Sequence, residues 1–260
     1  MREAVVETDM NELRRLEEAA MNAWPALQTV LIDGWVLRFA GGYTKRANSI
    51  NPTYSGVHES EADLISRIET CRQIYAARGL PAIFRFTSFG VPPGIDDLLE
   101  ARGYRVIDCT LVLRCDLEAL ALAENEMPVH DTPLEEWLDH YVAFSGSALD
   151  KRETHAAMLR QIAGEPLFAV LRDATGTPAA CGLAVREGNL AGMFDIVTDR
   201  LRRRQGYGRA LMLGLLAWAR DRGARDAYLQ VVASNEPAIG LYRDLGFTEA
   251  YRYWYRIPPG

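Results

Sequence analysis

Residues 190–198 read as a strand and residues 210–219 as a buried helix, with Arg202-Arg203-Arg204-Gln205-Gly206-Tyr207-Gly208-Arg209 between them. A strand that enters a helix through so short an Arg/Gly turn has few ways to fold, and it makes a ready holder for an anion. The first turn of a helix carries N–H groups without partners, and the macrodipole makes that end positive. A phosphate fills such a site well. Gly206 and Gly208 let the backbone approach a ligand with no Cβ in the way. The arginines add charge at the mouth.

Three kinds of site use such a turn. A P-loop needs Gly-Lys-Ser/Thr after its glycines, and this chain has none there. A dinucleotide fingerprint needs a third Gly or Ala where Leu211 stands. Asp226 follows at roughly the distance of a ribose-binding acid, so that reading stays open. It fits poorly, because the arginines precede the glycines and no strand is evident just before Asp226. The third kind is a pyrophosphate loop of the form Gln/Arg-x-x-Gly-x-Gly/Ala, which Arg203–Gly208 match residue by residue.

The 260 residues suffice for two domains or one large one. A net charge of −6 gives nucleic-acid binding no bulk electrostatic support. Cys71, Cys109, Cys115 and Cys181 form no CxxC and have no histidine at ligand spacing. They read as small core residues in a reducing compartment, and no metal site is expected. His155 follows Lys151-Arg152-Glu153 on an expected helix, where a surface position is the default. The amino terminus shows no secretion signal. The longest apolar run, 210–219, falls short of the roughly 20 residues a membrane span needs. The expectation is a cytoplasmic protein with no membrane or nucleic-acid partner.

Periodicity places helices over 11–24, 60–78, 96–102, 134–144, 151–163 and 237–244. Strands are expected over 35–39, 43–50, 82–87, 104–116, 167–172, 179–186, 190–198, 227–233 and 247–257. Asp33-Gly34 marks a hairpin, and a short helical piece begins the 117–131 connection. The order repeats. Asp97–Tyr104 and Gly240–Phe247 are each a short helix, a capping glycine and an aromatic, preceded by a strand and by a helix ending in Arg-Gly. One fold used twice is expected, over 1–122 and 128–260. At the corresponding place the first copy has Ile50-Asn51-Pro52-Thr53-Tyr54-Ser55-Gly56-Val57, with no arginine and one lone glycine. It cannot build the phosphate cradle.

The second half resembles the GNAT acetyltransferases over nearly its whole length. Besides the loop, Leu229–Phe247 is similar to their motif B: a strand, then Asn235, Ala238, Leu241-Tyr242 and Gly246-Phe247. The first half is similar to the amino-terminal domain of tandem GNAT proteins, through Gly34–Arg38 and Lys45–Ser49. The resemblance implies an α/β fold (α+β, with a mixed, mostly antiparallel sheet flanked by helices) in two tandem GNAT-like domains. It implies acetyl-CoA as donor and an amine of a small molecule or peptide as acceptor, joined in a ternary complex. The diphosphate would rest on Arg203, Arg204, Gln205, Gly206, Tyr207, Gly208 and Arg209. Ile196, Val197 and Thr198 would offer main-chain groups to the pantetheine arm and thioester carbonyl, and Asn235 a side chain to the arm. Tyr242 is the expected general acid. Asp195 is the better candidate base, with Glu187 as alternative. Lys45, Arg46 and Asn48 read first as part of a solvated strand, with the acceptor pocket as the alternative that analogy and polarity offer. A CoA-binding sensor without turnover, or a longer-chain acyltransferase, would use the same loop.

Overall fold

Asp9 opens the first helix, α1 (Met10–Ala23), by accepting the Asn11 N–H at 3.0 Å. Leu13, Leu16, Ala20 and Ala23 then recur at helical spacing and are buried. The structure, a computed structural model, describes residues 9–54, 60–120 and 127–259. A hairpin follows α1, with β1 (Gln28–Ile32) and β2 (Trp35–Phe39) joined at Asp33 (φ 44°) and Gly34 (φ 82°). Both turn residues at positive φ match the twist of the paired strands. The first half continues with β3 (Ile50–Asn51), α2 (Glu61–Ala76), β4 (Phe84–Thr87), α3 (Ile95–Ala101) and β5 (Arg105–Asp116). Ser60 and Asp63 start α2 with a reciprocal capping box.

The second half runs β6 (Val129–Asp131), α4 (Leu134–Ser145), α5 (Arg152–Leu159), β7 (Glu165–Arg172), β8 (Pro178–Glu187) and β9 (Leu190–Thr198). It ends with α6 (Tyr207–Asp221), β10 (Asp226–Val232), α7 (Glu236–Asp244) and β11 (Thr248–Ile257). The short helical piece expected after 117 falls largely in residues 121–126, and Gly56 in 55–59; both stretches lie outside the described residues.

All strands of the described residues join one sheet, in the order β1-β2-β3-β4-β11-β5-β10-β9-β8-β7-β6. Pairing is mostly antiparallel; among the described residues only β3–β4 and β9–β10 run parallel. The sheet centre is an exchange. β5, from the first half, pairs with β10 of the second, while β11, from the second, pairs with β4 of the first. β5 and β11 also pair with each other. The two sequence echoes, α3–Gly103–β5 and α7–Gly246–β11, are therefore the two arms of this exchange.

One expected strand is missing. Residues 43–50 give a single 3₁₀ turn at Lys45–Ala47, and only Ile50–Asn51 reach the sheet. Asn48 is the reason. Its side-chain oxygen accepts the Ala40 and Gly42 N–H groups at 2.8 and 2.9 Å, and its amide donates to Thr44 O at 2.7 Å. An asparagine that satisfies three backbone groups stabilises a turn against a ladder.

Hydrophobic clusters cover both faces of the second-half strands. Met193, Leu229 and Val231 pack with α6 and α7, through Leu211, Leu215 and Tyr242. Phe194 and Tyr228 pack on the opposite face with Trp24, just past α1, and Trp137 of α4. On that second face Glu17 is buried, bonded to the Arg85 guanidinium and to Tyr251 Oη at 2.6 Å. Removing one partner of a buried pair strands the other charge. Glu17→Ala is therefore expected to destabilise the fold by about 3–5 kcal/mol. That lowers the thermal midpoint by about 10 °C, measurable by calorimetry.

Candidate active site

β9 and β10 part company. Their parallel pairing runs from Leu190 and Asp226 only to Met193 and Leu229, and beyond it the strands splay. A bulge lies at the parting. Between Phe194 and Val197, β9 has one more residue than β8 opposite it, and Asp195 takes φ 50°. The wedge between the strands is a cleft of about 410 Å³, lined by Asp195, Ile196, Val197, Arg203, Asn235 and Tyr242, and also by Arg46, Tyr141, Phe194 and Gln230.

Strand alternation decides which backbone groups face the wedge. The Asp199 N–H donates to Ala179 O at 3.0 Å, and Val197 pairs with Cys181, so these residues turn their main chain toward β8. Ile196 and Thr198, one step out of phase, turn theirs toward the wedge. Val197 was expected to offer main-chain groups to a ligand along with its neighbours; β8 takes those groups instead.

Past Thr198 a 3₁₀ turn (Arg200–Arg202) leads into the loop, where Arg204 adopts φ 64° and Gly206 φ 85°. α6 begins at Tyr207, and the Ala210 N–H is the first to bond back, to Gly206 O at 3.0 Å. The N–H groups of Tyr207, Gly208 and Arg209 thus have no intrahelical acceptor. Gly208 lies against Thr198: a Cβ there would stand 3.4 Å from Thr198 Oγ1. Arg203, Arg204, Gln205 and Arg209 are exposed. Arg202 points elsewhere, paired with Asp173 and lying 3.7 Å from Asp199.

Tyr242 is buried, and burial pushes its phenol up to about 12. Asn235 caps α7, accepting the Ala238 N–H at 3.4 Å. Glu187 lies outside the cleft and binds Asn22 through both oxygens at 3.1 Å. Asp226 begins β10 and bonds to Arg114 at 2.9 Å, far from any use as a ribose acid for the loop.

His155 overturns its expected surface position. It is buried at 1% exposure on α5, with Nε2 3.0 Å from Asp195 Oδ2. The pair is close, but its angles fall outside hydrogen-bond geometry, and neither atom has another partner among the described residues. Tyr43 stacks on the imidazole at 5.1 Å, and Trp24 and Tyr141 flank it. Burial, and then the Asp195 carboxylate, push the Tyr43 and Tyr141 phenols well up. Of Lys45, Arg46 and Asn48, for which the acceptor pocket was the alternative to a solvated strand, only Arg46 lines the cleft. Lys45 pairs with Asp108 at 2.9 Å, and Asn48 builds the turn. The sequence signal for His155 was the apolar run around it, Ala156-Ala157-Met158-Leu159, which places one helix face inward.

Residues 10–256 match the family model described as "Probable histone acetyltransferase Rv0428c C-terminal". The chain belongs to this family of GNAT N-acetyltransferases. Along nearly its whole length it is 26% identical to the uncharacterized N-acetyltransferase YobR of Bacillus subtilis (strain 168), over 95% of this chain and 99% of that protein. A stretch of 60 residues is 47% identical to the ribosomal protein bS18-alanine N-acetyltransferase of Escherichia coli (strain K12), and spans 40% of that protein. The fold is similar to a GCN5-related N-acetyltransferase from Kribbella flavida, with a TM-score of 0.71 at 19% identity over 95% of each chain. It is also similar to a tandem GNAT protein from the clavulanic acid biosynthesis pathway, with a TM-score of 0.57 at 18% identity over 82% of this chain and 76% of that one. The family is one of acyltransferases, and GNAT acetyltransferases use acetyl-CoA. Among the described residues no helix is long and apolar enough to cross a membrane.

Proposed function

We propose that the protein transfers the acetyl group of acetyl-CoA to a primary amine of a small molecule or peptide, by direct attack in a ternary complex. One observation carries this reading. The bulged, splayed β9–β10 wedge opens beside a helix start whose first-turn N–H groups have no intrahelical acceptor.

The residues present suit a CoA diphosphate. The Tyr207, Gly208 and Arg209 amides, which have no intrahelical acceptor, two closely spaced glycines and the exposed Arg203 and Arg204 would together hold the anion. Gln205 and Asn235 add side-chain polar groups. The sequence at the corresponding place in the first half, 50–57, has one lone glycine and no arginine, and we assign catalysis to the module over 128–260, with 1–122 supporting it. The exchanged strands β5 and β11 make the two modules share one sheet.

Acetyl-CoA supplies an acyl thioester. In this reading the main-chain N–H groups of Ile196 and Thr198 bind its carbonyl oxygen, where negative charge grows during attack. Asp195 accepts the proton that the amine loses as its nitrogen bonds to the acyl carbon. The carbon–sulfur bond breaks, and Tyr242 gives its proton to the departing thiolate. A phenol pushed up to about 12 still holds that proton at neutral pH.

Thiol release from acetyl-CoA in the presence of an amine panel tests this. Amine-dependent release is expected, and Tyr242→Phe should slow it about 100-fold at neutral pH. CoA binding without release with any amine would mark a sensor. Faster release from longer acyl thioesters would mark a different acyltransferase.

A further inference from the structure

The cleft carries one cation and one anion on the same face of the sheet. Asp195 lies against His155 of α5, and Arg46 lies with its guanidinium 4.7 Å over the ring of Trp24, which caps α1. The anion loop and Tyr242 belong to α6 and α7, on the opposite face. Arg46 is therefore a group of the acceptor side.

Three features make it a built cation. Its turn is held in place: Arg38 Nη1 donates to Arg46 O at 2.9 Å, and Asn48 ties the preceding loop. Its guanidinium bonds Gln230 Oε1 at 3.1 Å, a neutral partner, and among the described residues no carboxylate lies within ion-pair distance of it. The charge behind it is unbalanced. Arg38, Arg46 and Arg85 surround a small void of about 10 Å³ with Glu17 as the single acid, and Glu17 is bound to Arg85. A half-buried guanidinium with spare donors and net positive surroundings favours an anion.

We propose that Arg46 binds an anionic group of the acceptor. The acceptor is then a small amine that also carries a carboxylate or a phosphate, with its amine toward Asp195 and its anion toward Arg46. This rests on the acetyltransferase reading above. It also sets the site apart from one suited to a lysine-rich peptide, whose neighbouring cations Arg46 would repel.

The test is steady-state acetyl transfer by the full chain to matched amines: glycine against glycinamide, and O-phosphoethanolamine against ethanolamine. The wild-type protein is expected to prefer the anionic member of at least one pair, and which pair tells carboxylate from phosphate. Arg46→Gln should lower the anionic-to-neutral ratio of kcat/KM about 10- to 100-fold, the worth of a charge-assisted contact. Arg46→Lys, which keeps a cation over Trp24, should restore part of it. A ratio unmoved by Arg46→Gln, or preference for a lysine-rich peptide, overturns the assignment and leaves the acetyltransferase reading standing. Acetylation of no amine, with no thiol released, takes down both.

Discussion

Gly208→Glu is expected to weaken CoA binding about 100-fold or more, since a carboxylate a few ångströms from a diphosphate costs several kcal/mol near a protein surface. The position separates charge from strain. Gly208 sits in the first turn of α6 with no positive φ, and a Cβ there meets Thr198 Oγ1 at 3.4 Å and Leu241 Cδ2 at 3.9 Å, ordinary contact distances. The helix therefore forms with either residue, and Gly208→Ala serves as the control for bulk alone. Gly206 is the worse probe, because φ 85° would strain any side chain placed there. Titration calorimetry with CoA measures the effect. Equal affinity for wild type and Gly208→Glu would place the diphosphate elsewhere.

Asp195→Asn is expected to lower kcat by about 10²- to 10⁴-fold, with CoA affinity retained. Asparagine keeps the size of the side chain and tolerates the φ of 50° that the bulge imposes, so the wedge keeps its shape. What is lost is the carboxylate that takes the amine's proton. Single-turnover acetyl transfer isolates that step from product release. A rate near that of wild type would remove Asp195 from proton transfer and leave it as a partner of His155.

Much of this arrangement was legible in local pattern. β9 falls on the residues expected, because its flanking turns, Gly188 and the arginine loop, bound an apolar run. α6 was legible from its ten apolar residues, and its first turn reaches back to Tyr207 because Gly206 can take the left-handed cap. The bulge at Asp195 was not legible. A single extra residue leaves no mark on a strand's composition and exists only against the register of β8. His155 was misplaced for a related reason. Charged neighbours set the expectation, while the α5 face toward Trp24, Tyr43 and Tyr141 set its burial. The 43–50 stretch alternated like a strand, yet Asn48 offered its backbone a local set of partners.

Short-range pattern alone determined the arginine–glycine turn between β9 and α6, the glycine caps and the alternation of strands and helices. Each depends on residues within a turn or two of each other, so the chain declares them wherever it goes. Tertiary structure alone decided that β5 and β11 trade places, that the wedge opens after Met193 and Leu229, and that Arg46 and Asp195, nearly 150 residues apart in the chain, line one cleft. Those outcomes are choices of partner among strands of similar composition, settled by which register buries the most apolar surface and leaves the fewest backbone groups unpaired.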